Sequence, residues 1–366
     1  MNINLALNLP FETPHMVVDL DQVKKNVNEM QHLADKHGKK LCPHSKTHKI
    51  PEISRIQIES GATGICVQKV SEAEVMFEGG VRNILISNEV IGTKLERVAK
   101  LLEQGCSIRV AFDNPNSINQ YSKICSDRNI EGHVLLDLNI GMNRCGVDIS
   151  EFSGLLDHLL KSKNLVLDGI MAYDGHVSQL DLRLRQNEVK KEEKIVMQAL
   201  LETRKHGIDE LEVSVSGTRT VEIWAESEIS TELQPGTYVY YDTHYINYLN
   251  VELRNMDRIA MGLVSTVMSE KIGDRYVLDA GSKSVSLDQG VNPSVVDENG
   301  KEYKVLDMSE EHCVIKTKYE KSMLGKKFMI LPYHACNTSD MWDGTYFIST
   351  QEQPRYVKIE GRGKRE

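Results

Sequence analysis

Between residues 40 and 241 the chain repeats one arrangement: a short apolar run, a polar turn, then apolar residues at helical spacing. This alternation constrains the fold most, because a strand that returns parallel to its predecessor needs a crossover, which a helix supplies. The apolar runs predict strands over 40–43, 63–67, 83–87, 108–112, 133–138, 165–172, 211–215 and 237–241. Helical periodicity predicts 21–37 ahead of them, and 52–59, 71–77, 94–103, 118–126, 151–160, 184–205 and 220–225 between them. The fold class expected is α/β with a parallel (β/α)8 barrel of the TIM type. An open doubly wound sheet is the alternative.

Beyond about residue 250 the texture changes. "AMGLVSTVMSE", "RYVLDAGSKSVSLD", "EHCVIKTKY" and "KFMILPYH" are short apolar or alternating runs separated by turn-like pieces such as "DENGKE". This pattern predicts an all-β domain. The expected division is a barrel over 15–248 and a β-domain over 249–366, with residues 1–14 packed on the latter. "HMVVDL" reads as a strand that joins the β-domain.

A formal net charge of -9 argues against a nucleic-acid surface, whose footprint is basic. No run approaches about 20 apolar residues, so no membrane span is expected. The beginning of the chain lacks a charged n-region with an apolar core, so no secretory signal is read there. Seven cysteines without regular spacing do not form a disulfide framework. The cytoplasm is the expected compartment, and the basic end "GRGKRE" reads as a solvated tail.

In a (β/α)8 barrel, chemistry gathers where strands end. Those positions here offer His44 and Lys46, then Gln68, Asn88, Asp113, Asn139 with Arg144, and Tyr173 with His176. Ser216–Thr218 and Tyr240 with Asp242 complete the set. "VSVSGTRT" leads a strand through Ser216, Gly217 and Thr218 into a helical stretch. That is a seat for phosphate, or simply a capped helix start. "LQPGTYV", with Gly236, Thr237 and Tyr238, offers a second such turn. Lys46 reads either as a solvated basic turn or as an amine kept for a Schiff base; with a phosphate seat, the latter implies pyridoxal phosphate. His334 and Cys336, one residue apart, pair an imidazole with a thiol of the kind zinc takes, in an open rather than closed site.

These residues resemble a known family. "PHSKTHK" is similar to the signature of the D-serine dehydratase and D-threonine aldolase family, fold-type III pyridoxal-phosphate enzymes whose barrel is alanine-racemase-like. The resemblance continues in order through "GICVQKVSEAEVM", "ILISNEVIG", "DLNIGMNRCGV", "GIMAYDGH", "SGTRT", "ELQPGTYVYYD", "LDAGSKSVSLDQG" and "PYHACNTSDMWD". It implies that Lys46 holds the cofactor, that Gln68 and Arg144 face its 3-hydroxyl side, and that Tyr173 borders the ring. Ser216, Gly217, Thr218, Gly236, Thr237 and Tyr238 would seat the phosphate, and His334 and Cys336 would bind Zn²⁺, with Mn²⁺ or Mg²⁺ as substitutes. A homodimer is implied as well. Cys42 departs from the arginine that often precedes Pro-His in the family, which leaves the contacts of that arginine without a counterpart.

Among the family's branches, "HAC" is similar to the dehydratase form of the metal pair. The leading expectation is therefore loss of water from a D-3-hydroxy amino acid, D-serine or D-threo-3-hydroxyaspartate. Retro-aldol cleavage to glycine and an aldehyde, with His176 as base, is the alternative. A cofactor-binding protein without turnover is the third.

Overall fold

The computed structural model describes residues 1–248 and 256–366. The chain forms two compact units. One comprises Glu29–Lys46, Ile50–Gly236 and Lys364–Glu366, the other Met1–Asn28, Thr47–Lys49 and Thr237–Gly363. The expected boundary at 248/249 lies at the edge of residues 249–255, which are outside the described residues. No helix among the described residues is long and apolar enough to cross a membrane.

The chain begins with α1 (Ile3–Leu7), β1 (His15–Asp19) and α2 (Leu20–Lys36). The strands of the barrel unit follow: β2 (Lys40–Leu41), β3 (Ile65–Val67), β4 (Asn83–Glu89), β5 (Ser107–Phe112), β6 (Gly132–Asp137), β7 (Leu165–Ala172), β8 (Glu212–Val215) and β9 (Glu232–Leu233). All pair in parallel in the order β2-β9-β8-β7-β6-β5-β4-β3. Thr63 N–H donates to Leu41 O at 2.8 Å and Cys66 N–H to Pro43 O at 2.9 Å, which joins β3 to β2 and closes the barrel.

Between successive strands run α3 (Pro51–Glu59), α4 (Val70–Glu78), α5 (Lys94–Glu103), α6 (Pro115–Arg128), α7 (Ile149–Leu160), α8 (Leu182–Lys205) and α9 (Val221–Glu226). Helix α6 shows how sequence sets such limits. Asn114 accepts from Ser117 N–H, Pro115 opens the first turn, and Asn129 ends it at φ 52°.

The eighth strand is not where apolarity places it. Residues Thr237–Val239 form a 3₁₀ turn, and the strand is Glu232–Leu233. Pro235 lacks an N–H and closes the strand, while the charge on Glu232 hides its buried character from any reading of hydrophobicity.

The barrel interior explains both Glu232 and Cys42. Cys42, Cys66, Leu85, Ala111, Leu135 and Met171 form an apolar cluster across one side. On the other side the Arg109 guanidinium donates to Glu232 at 2.9 Å and to Glu212. Ser214 Oγ donates to Glu232, and Gln234 Nε2 donates to Ser214 Oγ at 2.6 Å. Cys42 Sγ lies 3.8 Å from Arg109, so the space beside this thiol is filled by a guanidinium that β5 supplies.

The second unit is a β-domain. Its long central strand β10 (Met261–Lys271) pairs antiparallel with β1 and with β11 (Arg275–Leu278). The small strands β12 (Ser294–Val296), β13 (Glu302–Tyr303), β14 (Val305–Met308) and β15 (Cys313–Lys316) follow. Then come β16 (Lys327–Leu331), which also pairs with β10, and β17 (Gly344–Ile348), which pairs in parallel with β1 and antiparallel with β18 (Arg355–Lys358). The strand predicted within "HMVVDL" thus belongs to this sheet. Tyr276, Leu278, Val295, Ile315, Phe328 and Ile330 pack in its apolar core. Two short helices, α10 (Thr243–Tyr248) and α11 (Ala335–Ser339), belong to the same unit. All seven cysteines are free thiols. The end of the chain is anchored, not loose: Ser71 Oγ donates to Glu366 O at 2.7 Å within the barrel unit.

Candidate functional site

In the barrel unit, candidate residues collect at the C-terminal ends of the strands. Lys46 lies in the 3₁₀ turn Ser45–Thr47 after β2, its N–H donating to His44 Nδ1 at 3.2 Å. His44 Nε2 in turn stands 3.2 Å from Gln68 Oε1 and 3.3 Å from Ser87 Oγ, so one imidazole links the ends of β2, β3 and β4. Lys46 Nζ lies 5.3 Å from the centre of the Tyr173 ring, and the Arg144 guanidinium lies 5.4 Å from the same centre. Three of the predicted residues are thereby brought round one aromatic face, an arrangement that attracts cations. The ring lies against Gly175, where a Cβ would stand only 2.4 Å from it.

The Ser216–Thr218 turn meets that ring from β8, with the Cβ direction of Gly217 aimed at Tyr173 3.5 Å away. Ser216 adopts φ 79°, a costly conformation for a serine. Its hydroxyl is buried and makes no hydrogen bond. Such an orphan is expensive unless a ligand satisfies it, and a phosphate oxygen would. Gly217 N–H is already taken by Thr220 Oγ1 at 3.0 Å, so local capping accounts for part of the turn.

Carboxyl groups missed by sequence reasoning line the same end. Burial, with Asp113 nearby and Arg144 partly compensating, pushes Asp137 up to about 7. Burial, together with Asp113 and Asp137, pushes Glu89 up to about 9. His176 follows Tyr173 by three residues; its Nε2 is 3.3 Å from Glu192 Oε1, and a Cβ on Gly141 would meet it at 3.0 Å.

In the β unit, His334 caps α11 and Cys336 occupies its second position. His334 Nδ1 is 2.7 Å from Asp288 Oδ2, and its ring also hydrogen-bonds the Cys336 thiol. Burial opposes protonation of the imidazole, but Cys336 and Asp288 outweigh it and raise His334 to about 9. Cys336 Sγ is 3.1 Å from Thr47 Oγ1 and 3.7 Å from Thr237 Oγ1. Thr237, expected in the phosphate seat, thus has the thiol as a neighbour, and Tyr238 beside it is fully buried. Gly236 ends the barrel unit. Asp242 accepts from Ala335 N–H at 2.9 Å and holds the start of α11.

An imidazole with a carboxylate behind it and a thiol at its side suits a borderline-soft divalent metal. Among the described residues no three such side chains converge as metal ligands, Asp288 standing behind the imidazole instead, so a metal on His334 and Cys336 would keep open positions. Asp288, 46 residues from His334, carried no sequence signal.

The segment Thr47–Lys49 is bound tightly to its unit. Ser339 Oγ donates to Thr47 O at 2.5 Å, Lys49 Nζ to Asp340 Oδ1 at 2.6 Å, and Gly361 N–H to Lys49 O at 3.0 Å.

Two family models match the chain: "Alanine racemase, N-terminal domain" over residues 18–244, and "Putative serine dehydratase domain" over residues 260–348. A D-threonine aldolase of Arthrobacter sp. is 31% identical, with 96% of this chain and 93% of that protein covered. A D-threo-3-hydroxyaspartate dehydratase of Delftia sp. strain HT23 is 26% identical, with 90% and 92% covered. The crystal structure of a D-threonine aldolase from Filomicrobium marinum superposes with a TM-score of 0.87 at 30% identity, covering 97% of each chain. The chain therefore belongs to the D-threonine aldolase and D-serine dehydratase family, whose barrel is the alanine racemase N-terminal domain.

Proposed function

We propose that this protein is a lyase of D-3-hydroxy amino acids that uses pyridoxal phosphate carried by Lys46 and a divalent metal carried by His334 and Cys336. The cofactor, when bound, supplies an electron sink for negative charge developed at Cα. Ser216, Gly217, Thr218, Gly236, Thr237 and Tyr238 are the residues proposed to hold its phosphate, with Gln68 and Arg144 at its polar edge and Tyr173 beside the ring. The buried, unpartnered Ser216 hydroxyl supports that placement. Lys46 would carry the Cα proton. His334 and Cys336 would present a Lewis acid to the β-hydroxyl, a poor leaving group otherwise.

The observation that carries the reading is the His334–Cys336–Asp288 cluster together with Thr47. Its hydroxyl is 3.1 Å from Cys336 Sγ, and it follows Lys46 directly in the chain. Elimination of water, giving a keto acid and ammonia, is the reaction that the H-x-C pair favours. Aldol cleavage is a second reading, favoured by the 31% and 30% identity to D-threonine aldolases and by a histidine backed by a carboxyl group.

The test is to supply D-serine, D-threonine and D-threo-3-hydroxyaspartate with pyridoxal phosphate and Zn²⁺ or Mn²⁺. Keto acid identifies elimination, glycine with an aldehyde identifies cleavage, and neither product leaves a binding protein. Cys336→Ala should lose bound metal, measured by atomic emission, and turnover with it. Retention of both would remove the metal role.

A further inference from the structure

On the inward face of α8 the buried positions are Arg185, Val189, Glu192, Val196, Ala199 and Thr203, in steps of three and four. Glu192 occupies a place where that stripe calls for an apolar residue, yet it is only 2% exposed. Neither of its carboxyl oxygens makes a hydrogen bond. A buried carboxyl group so placed is costly unless another group compensates it.

The neighbours narrow what that group is. Asp174 is buried too, and its Oδ2 accepts from Trp224 Nε1 at 2.8 Å. Arg185 on the same helix directs its guanidinium to the carbonyls of Arg219 and Leu180. Burial, Asp174 and Glu188 all oppose negative charge on Glu192, so its charged form needs a donor beside it. The remaining partner is His176, whose Nε2 stands 3.3 Å from Glu192 Oε1. Gly141, at φ 128°, closes that side of the ring, since a Cβ there would lie 3.0 Å from Nε2.

We infer that Glu192 is the positioning residue of His176: it occupies Nε2 and leaves Nδ1 as the nitrogen that exchanges a proton with the substrate's β-oxygen. The inference rests on the proposed role of His176. In cleavage, the β-hydroxyl O–H bond breaks and its proton passes to Nδ1. The O–H electron pair forms the aldehyde carbonyl as the Cα–Cβ bond breaks, and the electrons of that bond remain at Cα. Nε2 keeps the ring's own proton, directed at the Glu192 carboxylate, so that Nδ1 is free to accept; the Nδ1 proton is then returned to solvent and Cα takes up a proton in its turn. In elimination the same nitrogen donates to the departing oxygen. Either direction uses one ring geometry.

The test compares Glu192→Gln, Glu192→Leu and His176→Asn in the full chain. Glu192→Gln should lower kcat roughly 10²-fold with KM little changed. Nitrogen NMR of histidine-labelled chain, with and without pyridoxal phosphate, should show the His176 proton leaving Nε2 in Glu192→Leu. Parental kcat and unchanged ring signals in both Glu192 variants would overturn the inference. So would a raised KM at constant kcat. If His176→Asn kept the parental rate, the role of His176 itself would fall, and the positioning role with it. Loss of rate in His176→Asn beside parental Glu192 variants would remove the dyad alone.

Discussion

The barrel buries carboxyl groups at both ends, and the two ends treat them differently. Toward the N-terminal end, Glu212 and Glu232 converge on Arg109, with Ser214 and Gln234 completing the hydrogen bonds. Toward the C-terminal end, Asp113 accepts from Gly146 N–H at 3.1 Å, but burial pushes Glu89 up to about 9 and Asp137 up to about 7, Arg144 only partly compensating the latter. A compensated cluster specifies and stabilises. An uncompensated one stores unfavourable energy, which proteins accept where a ligand will act. The comparison assigns stability to one end of the barrel and chemistry to the other.

The largest effect should come from Lys46→Ala at the C-terminal end. Turnover should fall about 10²–10⁴-fold and the bound-cofactor absorbance should disappear. Unfolding in urea should shift by less than about 1 kcal/mol. A large loss of stability would erase the distinction between the ends.

Arg109→Leu reverses the signature. It strands the buried Glu232 carboxyl group, while Glu212 keeps Lys40, and should cost about 3–5 kcal/mol in denaturant unfolding, while the rate per folded molecule stays parental. A parental melting curve would show that Glu232 is compensated otherwise.

The smallest effect is a pH slope. A carboxyl group raised in the folded state binds its proton more tightly there than in the unfolded chain. Stability therefore falls as pH rises from the unfolded value, near 3.8, to about 7 for Asp137. Glu89 extends the same trend to about 9. Asp137→Asn should flatten the lower part of the slope, by at most about 1.4 kcal/mol per pH unit. Melting curves between pH 4 and pH 7, taken as about the span of that group, would reveal an unchanged slope if Asp137 were not its source.

Much of this was legible in residue patterns, for identifiable reasons. Strand β7 and helix α5 coincide with their predicted limits, because each is a continuous apolar or amphipathic run bounded by polar turns. Strand β9 was missed because its buried residue is a glutamate whose partner comes from β5, 123 residues earlier. Cys42 had no sequence rationale for the same reason, since Arg109 is 67 residues away. Within the candidate site, Lys46, Tyr173 and Arg144 do meet, but Asp288 and Glu192 emerged only in three dimensions. Glu192 left one faint trace, a charged residue in step with Val189, Val196 and Ala199.

The three-residue segment Thr47–Lys49 has a consequence for how the molecule comes into being. Its anchors, Cys336, Ser339, Asp340 and Gly361, are made long after it; Thr47 and Cys336 are 289 residues apart. At roughly 5–20 residues per second, a ribosome needs on the order of 15–60 s to travel that distance. Throughout that interval the nascent barrel strands can pair, while the residue next to Lys46 has nothing to hold it. The fixing of the chain next to Lys46 would then be among the last events of biogenesis, timed by the C-terminal strands rather than by the barrel that carries the lysine.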